Sequence, residues 1–176
     1  MTIFTGKAVV VTGAGTGIGR AAARAFAAQG ASVLAVGRTA STVAETAADL
    51  PTIHPFTADV ADADRVVGAA LDAFGRLDVL VNNAAVTTGD GLVTTNLLAP
   101  VGLVRAALPH LERTRGVVVN VSTAIGQRGW PMPGGELYAA LKSALESLTR
   151  SWAVQYAPRG VRVVAVAPGP IATPHY

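Results

Sequence analysis

The sequence predicts an α/β fold built on a doubly wound parallel sheet of about six strands. Three observations predict it. Short β-branched runs alternate with Ala- and Leu-rich helical stretches from one end of the chain to the other, the pattern of repeated strand-helix-strand units. The strand runs are almost continuously apolar rather than alternating, so both of their faces are expected to be buried. A glycine-rich turn, Thr12-Gly13-Ala14-Gly15-Thr16-Gly17-Ile18-Gly19, joins the first apolar run to the first helical stretch.

Taken in order, the strands are expected at Lys7–Thr12, Ser32–Val36, Ile53–Thr57, Val79–Asn82, Gly116–Val121 and Val161–Ala167. Helices are expected over Gly17–Gln29, Ala40–Leu50, Asp62–Phe74, Leu92–Leu111 and Glu136–Tyr156, with Gly30, Gly75 and Pro158 near their ends as stop signals. The Pro/Gly-rich loop Gly129–Gly135 is too short for a domain linker, and no repeat is visible. At 176 residues the chain suits a single domain spanning 1–176.

Composition excludes several classes of function. The hydrophobic fraction of 51% comes largely from Ala and Val, and no apolar run reaches the roughly 18 residues that would mark a membrane span. The N-terminus lacks the charged start and long apolar run of a secretory signal. Cysteine is absent, which removes disulfides and thiolate metal sites, and no metal centre is expected. A cytoplasmic setting fits. The net charge of +3 is spread over single arginines, whereas a nucleic-acid footprint needs clustered basic residues, so no nucleic-acid partner is expected.

The chemistry begins at the glycine turn. Backbone can approach a pyrophosphate closely only where no Cβ intervenes, and the N–H groups at a helix start then face the negative charge. Gly13, Gly15, Thr16, Gly17, Ile18 and Gly19 are therefore expected to bind a dinucleotide. After the second strand, Arg38 stands where such a fold meets the adenosine ribose. An acidic residue there would accept from a free 2′-hydroxyl, whereas a guanidinium can clamp a 2′-phosphate, so NADP(H) is favoured over NAD(H). Asp59-Val60 closes the third strand and can either cap the next turn or meet the adenine edge. Asn82-Asn83-Ala84-Ala85 ends the fourth strand at the carboxyl edge, where ligands of open α/β sheets sit.

Tyr138 and Lys142 lie four residues apart, on one face of the last helix. A phenol ordinarily titrates near pH 10, and a neighbouring ammonium lowers that value towards the range useful in acid-base catalysis. Ser122-Thr123 closes the fifth strand with two hydroxyls, either of which can orient a substrate carbonyl or cap the following turn.

These residues together resemble the classical short-chain dehydrogenase/reductases, and the likeness runs through Thr12–Gly19, Asp59-Val60, Asn82–Ala85, Asn96, Ser122-Thr123, Tyr138–Lys142 and Pro168-Gly169-Pro170-Ile171-Ala172-Thr173. The resemblance implies a Rossmann-like sheet in the order 3-2-1-4-5-6. It also implies reversible hydride transfer between a nicotinamide dinucleotide and a small carbonyl compound or secondary alcohol. By the same resemblance Tyr138 is the acid/base and Lys142 binds the nicotinamide ribose and depresses the tyrosine pKa. Asn96 holds a water relaying protons to Lys142, and Asn83, Ala84, Ala85, Pro168, Gly169, Ile171 and Thr173 contact the cofactor.

Four departures stand out. The serine position falls on Thr123, the amide motif ends in Ala85 where glycine is usual, and the stretch from Asn83 to Asn96 is short. The sequence also stops at Tyr176, where the family continues into a substrate-covering lid and a last strand. These departures motivate two alternatives, a cofactor-binding regulatory or catalytically impaired homologue and a truncated product that folds poorly. Leu137, Leu141, Leu145, Leu148 and Trp152 on the last long helix read as more apolar surface than one sheet face covers, so a homodimer or homotetramer through the two long helices is expected.

Overall fold

The computed structural model describes residues 2–127 and 134–173. Its strands are β1 (Ala8–Thr12), β2 (Ser32–Gly37), β3 (Ile53–Thr57), β4 (Val79–Asn82), β5 (Val117–Val121) and β6 (Arg162–Val166). Its main helices are α1 (Gly17–Ala28), α2 (Ala40–Ala47), α3 (Ala63–Phe74), α4 (Ala99–Thr114) and α5 (Glu136–Tyr156). All pairings are parallel and the order is β3-β2-β1-β4-β5-β6, as the sequence predicts. The order reverses between β1 and β4, and the crevice of a doubly wound sheet opens at the carboxyl ends of those two strands.

Alternate residues of the central strands feed two cores. Val9, Val11, Val33 and Ala35 pack with Ala23 and Ala27 of α1 on one face. Val10, Leu34, Leu80 and Val118 pack with Val66, Leu103, Leu145 and Trp152 on the other. Two buried faces explain why β1 and β4 contain no exposed residue. The two edge strands differ from the expectation of double burial. On β6 only Val163 is buried, and Val164 and Val166 are about half exposed at 45% and 51%. On β3 only Ile53 is fully buried. An edge strand has a neighbouring strand on one side only, so less of it is covered.

Three further differences have local causes. The second helix ends at Ala47 rather than Leu50, because Asp49 takes a left-handed conformation (φ 62) and Pro51 disfavours helical geometry at Leu50. The fourth helix begins at Leu92 as expected but is irregular in its first turns. After Leu92 and Val93, Thr94–Leu98 forms a π-turn, and regular α-helix continues from Ala99 to Thr114. Pro100 has no N–H to offer the carbonyl four residues earlier, that of Asn96, and the ladder slips by one residue there. On α5, Leu141, Leu145 and Trp152 are buried, so most of the apolar excess expected at the surface faces the sheet, while Leu137 and Val154 remain exposed. Most of the loop expected at Gly129–Gly135 lies outside the described residues. Among the described residues no helix is long and apolar enough to cross a membrane.

Candidate active site

The glycine turn is fastened to the strand beside it. Thr12, 1% exposed at the end of β1, donates its hydroxyl to the Val81 carbonyl at 3.1 Å and accepts the Asn83 and Ala84 N–H groups at 3.0 and 3.1 Å. The Asn83 amide returns the contact, donating to the Thr12 and Gly13 carbonyls at 2.9 and 3.2 Å. The crowding makes the glycines obligatory. Gly13 has φ +64, and a Cβ there would come within 2.8 Å of the Ala84 backbone. A Cβ at Gly19 would collide with the Gly13 carbonyl and the Asn83 amide. The Asn83 side chain thus acts on the turn itself, and a ligand would meet the neighbouring backbone of Ala84 and Ala85.

Beside the turn lies an open cleft of about 100 Å³ whose lining includes Gly13, Arg38, Asp59, Val60, Ala84 and Ala85. Arg38 is exposed at its mouth and makes no hydrogen bond or ion pair among the described residues. Asp59 accepts the Ala61 N–H at 2.9 Å, so it caps its turn while also lining the cleft. The segment after β6 comes back to the same place. The Pro168 carbonyl accepts the Ala124 N–H at 3.0 Å, and Thr173 lies 3.4 Å from where a Cβ on Gly17 would stand. Gly169 and Ile171 lie between them, with Ile171 exposed.

Across the crevice, α5 runs past the end of β5. Lys142 is 2% exposed and donates from Nζ to the Val121 carbonyl at 2.8 Å, with the ammonium 5.8 Å from the centroid of the half-buried Tyr138 ring. Burial lowers its pKa to about 8. The cause is desolvation, which penalises the charged form of a group so little exposed to water. Among the described residues Val121 is its one hydrogen-bond partner. An ammonium has three N–H donors, so the site holds donor capacity that a ligand hydroxyl can use.

The two hydroxyls at the end of β5 have separate jobs. Ser122 donates to the Glu146 carboxylate at 2.6 Å, back towards the body of α5. Among the described residues Thr123 Oγ1 accepts only a long contact, 3.4 Å from the Ile125 N–H. Asn96 sits in the π-turn with 0% exposure, donating to the Val86 and Leu92 carbonyls at 2.8 and 2.9 Å. Its Oδ1 is buried with no hydrogen-bond partner among the described residues. A buried acceptor without a partner is costly, which makes a water or ligand donor at that atom physically reasonable.

Sequence reasoning placed Asn82 at the carboxyl edge but did not show the contacts of several supporting groups. Asn82, Asn120 and Thr149 form a buried chain linking β4, β5 and α5, with donor-acceptor distances of 2.9 and 2.8 Å. Arg20, Thr46 and Glu45 gather around the glycine turn. The available signal was Arg20 itself, a cation near the start of α1 where the helix dipole disfavours positive charge.

The model for the short chain dehydrogenase family matches residues 7–176. The chain belongs to that family. It is 36% identical to a 3-oxoacyl-[acyl-carrier-protein] reductase of Thermotoga maritima, over 96% of this chain and 76% of that protein. It is equally similar, at 36%, to a meso-2,3-butanediol dehydrogenase of Serratia marcescens, over 97% of this chain and 73% of the other. A crystal structure of a 3-ketoacyl-(acyl-carrier-protein) reductase from Brucella melitensis complexed with NADH superimposes with a TM-score of 0.91 at 31% identity, covering 97% of this chain and 78% of that one.

Proposed function

We propose that this short-chain dehydrogenase transfers a hydride between NADP(H) and a small carbonyl compound or secondary alcohol, with Tyr138 as the acid/base. The observation that carries the reading is the buried Lys142 ammonium held by the Val121 carbonyl beneath the Tyr138 ring, at the carboxyl edge of the sheet. The residues present fit a nicotinamide dinucleotide. The glycine turn forms a cradle that Cβ atoms would fill, and Lys142 has donors to spare for ribose hydroxyls. Arg38 at the cleft mouth suits a 2′-phosphate. When bound, the nicotinamide supplies or accepts the hydride.

The chain's own groups handle the proton and the substrate. Tyr138 donates its phenolic proton to the oxygen of a reduced carbonyl, or takes it from an alcohol in the reverse direction. Lys142, with a pKa of about 8, is mostly protonated at neutral pH and stabilises the phenolate. Thr123 orients the substrate oxygen, since Ser122 is engaged by Glu146. Asn96 offers its buried Oδ1 to a water that replenishes the proton through Lys142.

Titration with NADPH and NADH separately, followed by a panel of ketones, tests the reading. The expected result is tighter NADPH binding and ketone-dependent oxidation. Binding without turnover on any ketone would favour a regulatory homologue. We extend the proposal to a homodimer or homotetramer through α4 and α5, supported by exposed Leu137 and Val154 on α5. A light-scattering mass of one chain at micromolar concentration would refute that part.

A further inference from the structure

The glycine turn is held by its carbonyls. Three successive ones, of Gly13, Ala14 and Gly15, each accept a hydrogen bond from a side chain on a different segment: the loop after β4, α2 and α1. Asn83 reaches Gly13 at 3.2 Å, Thr46 of α2 reaches Ala14 at 2.8 Å, and Arg20 of α1 reaches Gly15 from Nε at 2.9 Å and also from Nη2. The same guanidinium extends to the Thr42 carbonyl at 3.3 Å and pairs with Glu45 at 2.9 Å, both on α2. Thr46 is 0% exposed.

In a planar trans peptide the carbonyl of one residue and the N–H of the next point in opposite directions. Fixing the Ala14 carbonyl towards Thr46 and the Gly15 carbonyl towards Arg20 therefore turns the Gly15 and Thr16 N–H groups away from those side chains. The placement of Arg20 is otherwise unfavourable, because a cation in this early part of a helix opposes the dipole. Its pair with Glu45 does not explain it, since side-chain exposures of 33% and 62% make that pair a weak surface bridge. The bonds to turn carbonyls remain as the reason for a guanidinium here. α2 also begins immediately after Arg38-Thr39, so the helix that carries Thr42, Glu45 and Thr46 links the turn to the ribose end of the cleft.

We infer that Arg20 and Thr46 are positioning residues, which with α2 as support set the glycine turn in its dinucleotide-binding conformation before any cofactor arrives. The inference rests on the cofactor reading above. Holding the turn in advance removes the ordering cost from the binding step, so its loss is expected to weaken every dinucleotide alike.

The test compares Arg20→Met, Thr46→Val and Thr46→Ser with the wild-type chain. NADH and NADPH affinities are measured by fluorescence titration well below the melting temperature. Amide exchange of the cofactor-free protein is followed in peptides covering residues 13–19 and in peptides from α5. Arg20→Met and Thr46→Val are expected to weaken both dinucleotides by a similar factor, on the order of tenfold, and to speed exchange in 13–19 while leaving α5 unchanged. Thr46→Ser, which keeps the hydroxyl, is expected to restore affinity. Variants that bind both dinucleotides within about twofold of wild type would overturn the inference. So would a loss confined to NADPH, which would assign Arg20 to the 2′-phosphate, or faster exchange throughout the molecule, which would make the contacts merely structural. A wild-type chain that binds neither dinucleotide would overturn the cofactor reading and this inference together.

Discussion

Tyr138→Phe removes one hydroxyl from a half-buried ring, so fold and cofactor binding are expected to survive. Turnover is expected to fall by roughly a hundred- to ten-thousandfold, the usual worth of a positioned acid/base. Retention of most activity would mean that the proton comes from elsewhere. Lys142→Ala is expected to weaken cofactor binding and shift the turnover-pH profile upward, because without the ammonium the phenol titrates closer to pH 10. Thr123→Ala is expected to lower turnover without moving that profile, and Thr123→Ser to be nearly silent. Lys142 has a separate signature in stability. Its folded pKa of about 8 lies below the ordinary lysine value, so the unfolded chain binds more protons between the two values and stability rises with pH across that window. Tyr138 and Lys142 were legible in the sequence because helical spacing alone puts them on one face. Residue chemistry alone did not separate Ser122 from Thr123; the resemblance put the position on Thr123, and the structure adds that Ser122 is engaged by Glu146, twenty-four positions away.

For whole elements, legibility followed how local the cause is. The central strands came out within a residue or so of their expected bounds, since buried β-branched runs define themselves. The π-turn at Thr94–Leu98 depends on one missing N–H at Pro100, and that slip places Asn96 with its Oδ1 buried and without a partner among the described residues. The exposure of β3 and β6 depends on their place at the two edges of the sheet, which no strand encodes by itself. Position in an element also decides the cofactor prediction. Arg38 follows β2 and precedes α2, at the cleft mouth, and it has no protein partner among the described residues. Arg38→Asp is expected to weaken NADPH binding by on the order of tenfold to a hundredfold, through loss of a charge-assisted contact and new repulsion, while largely sparing NADH. Equal losses for the two cofactors, measured by titration, would remove Arg38 from the 2′-phosphate.

Across the whole molecule the two ends of the sheet separate the candidate site from a stabilising cluster of charges. The carboxyl ends of β1, β4 and β5 carry the turn, the cleft and the Lys142 anchor. The amino ends are tied by Asp78, whose carboxylate accepts the Ala8 N–H at 2.9 Å, Arg76 at 2.7 and 2.8 Å and Lys7 at 3.1 Å. Burial alone would raise the Asp78 pKa, but the Arg76 guanidinium, the Ala8 N–H and the Lys7 ammonium outweigh it and hold the carboxyl below its ordinary value. A depressed folded pKa means that the unfolded chain binds more protons in the acid range. The stabilisation is therefore complete above the ordinary aspartate value of about 4 and is lost as pH falls below it. Asp78→Asn is expected to cost about 1–3 kcal/mol at pH 7, because it weakens charge-assisted bonds around a group that is only 4% exposed. NADPH affinity should be unchanged, since none of these contacts reaches the carboxyl edge. Denaturant melts of the two proteins at pH 7 and pH 3 check the sign: the stability gap should narrow at the lower pH, where the wild-type carboxylate approaches neutrality. A gap of constant size would show that Asp78 acts through shape and not through its charge.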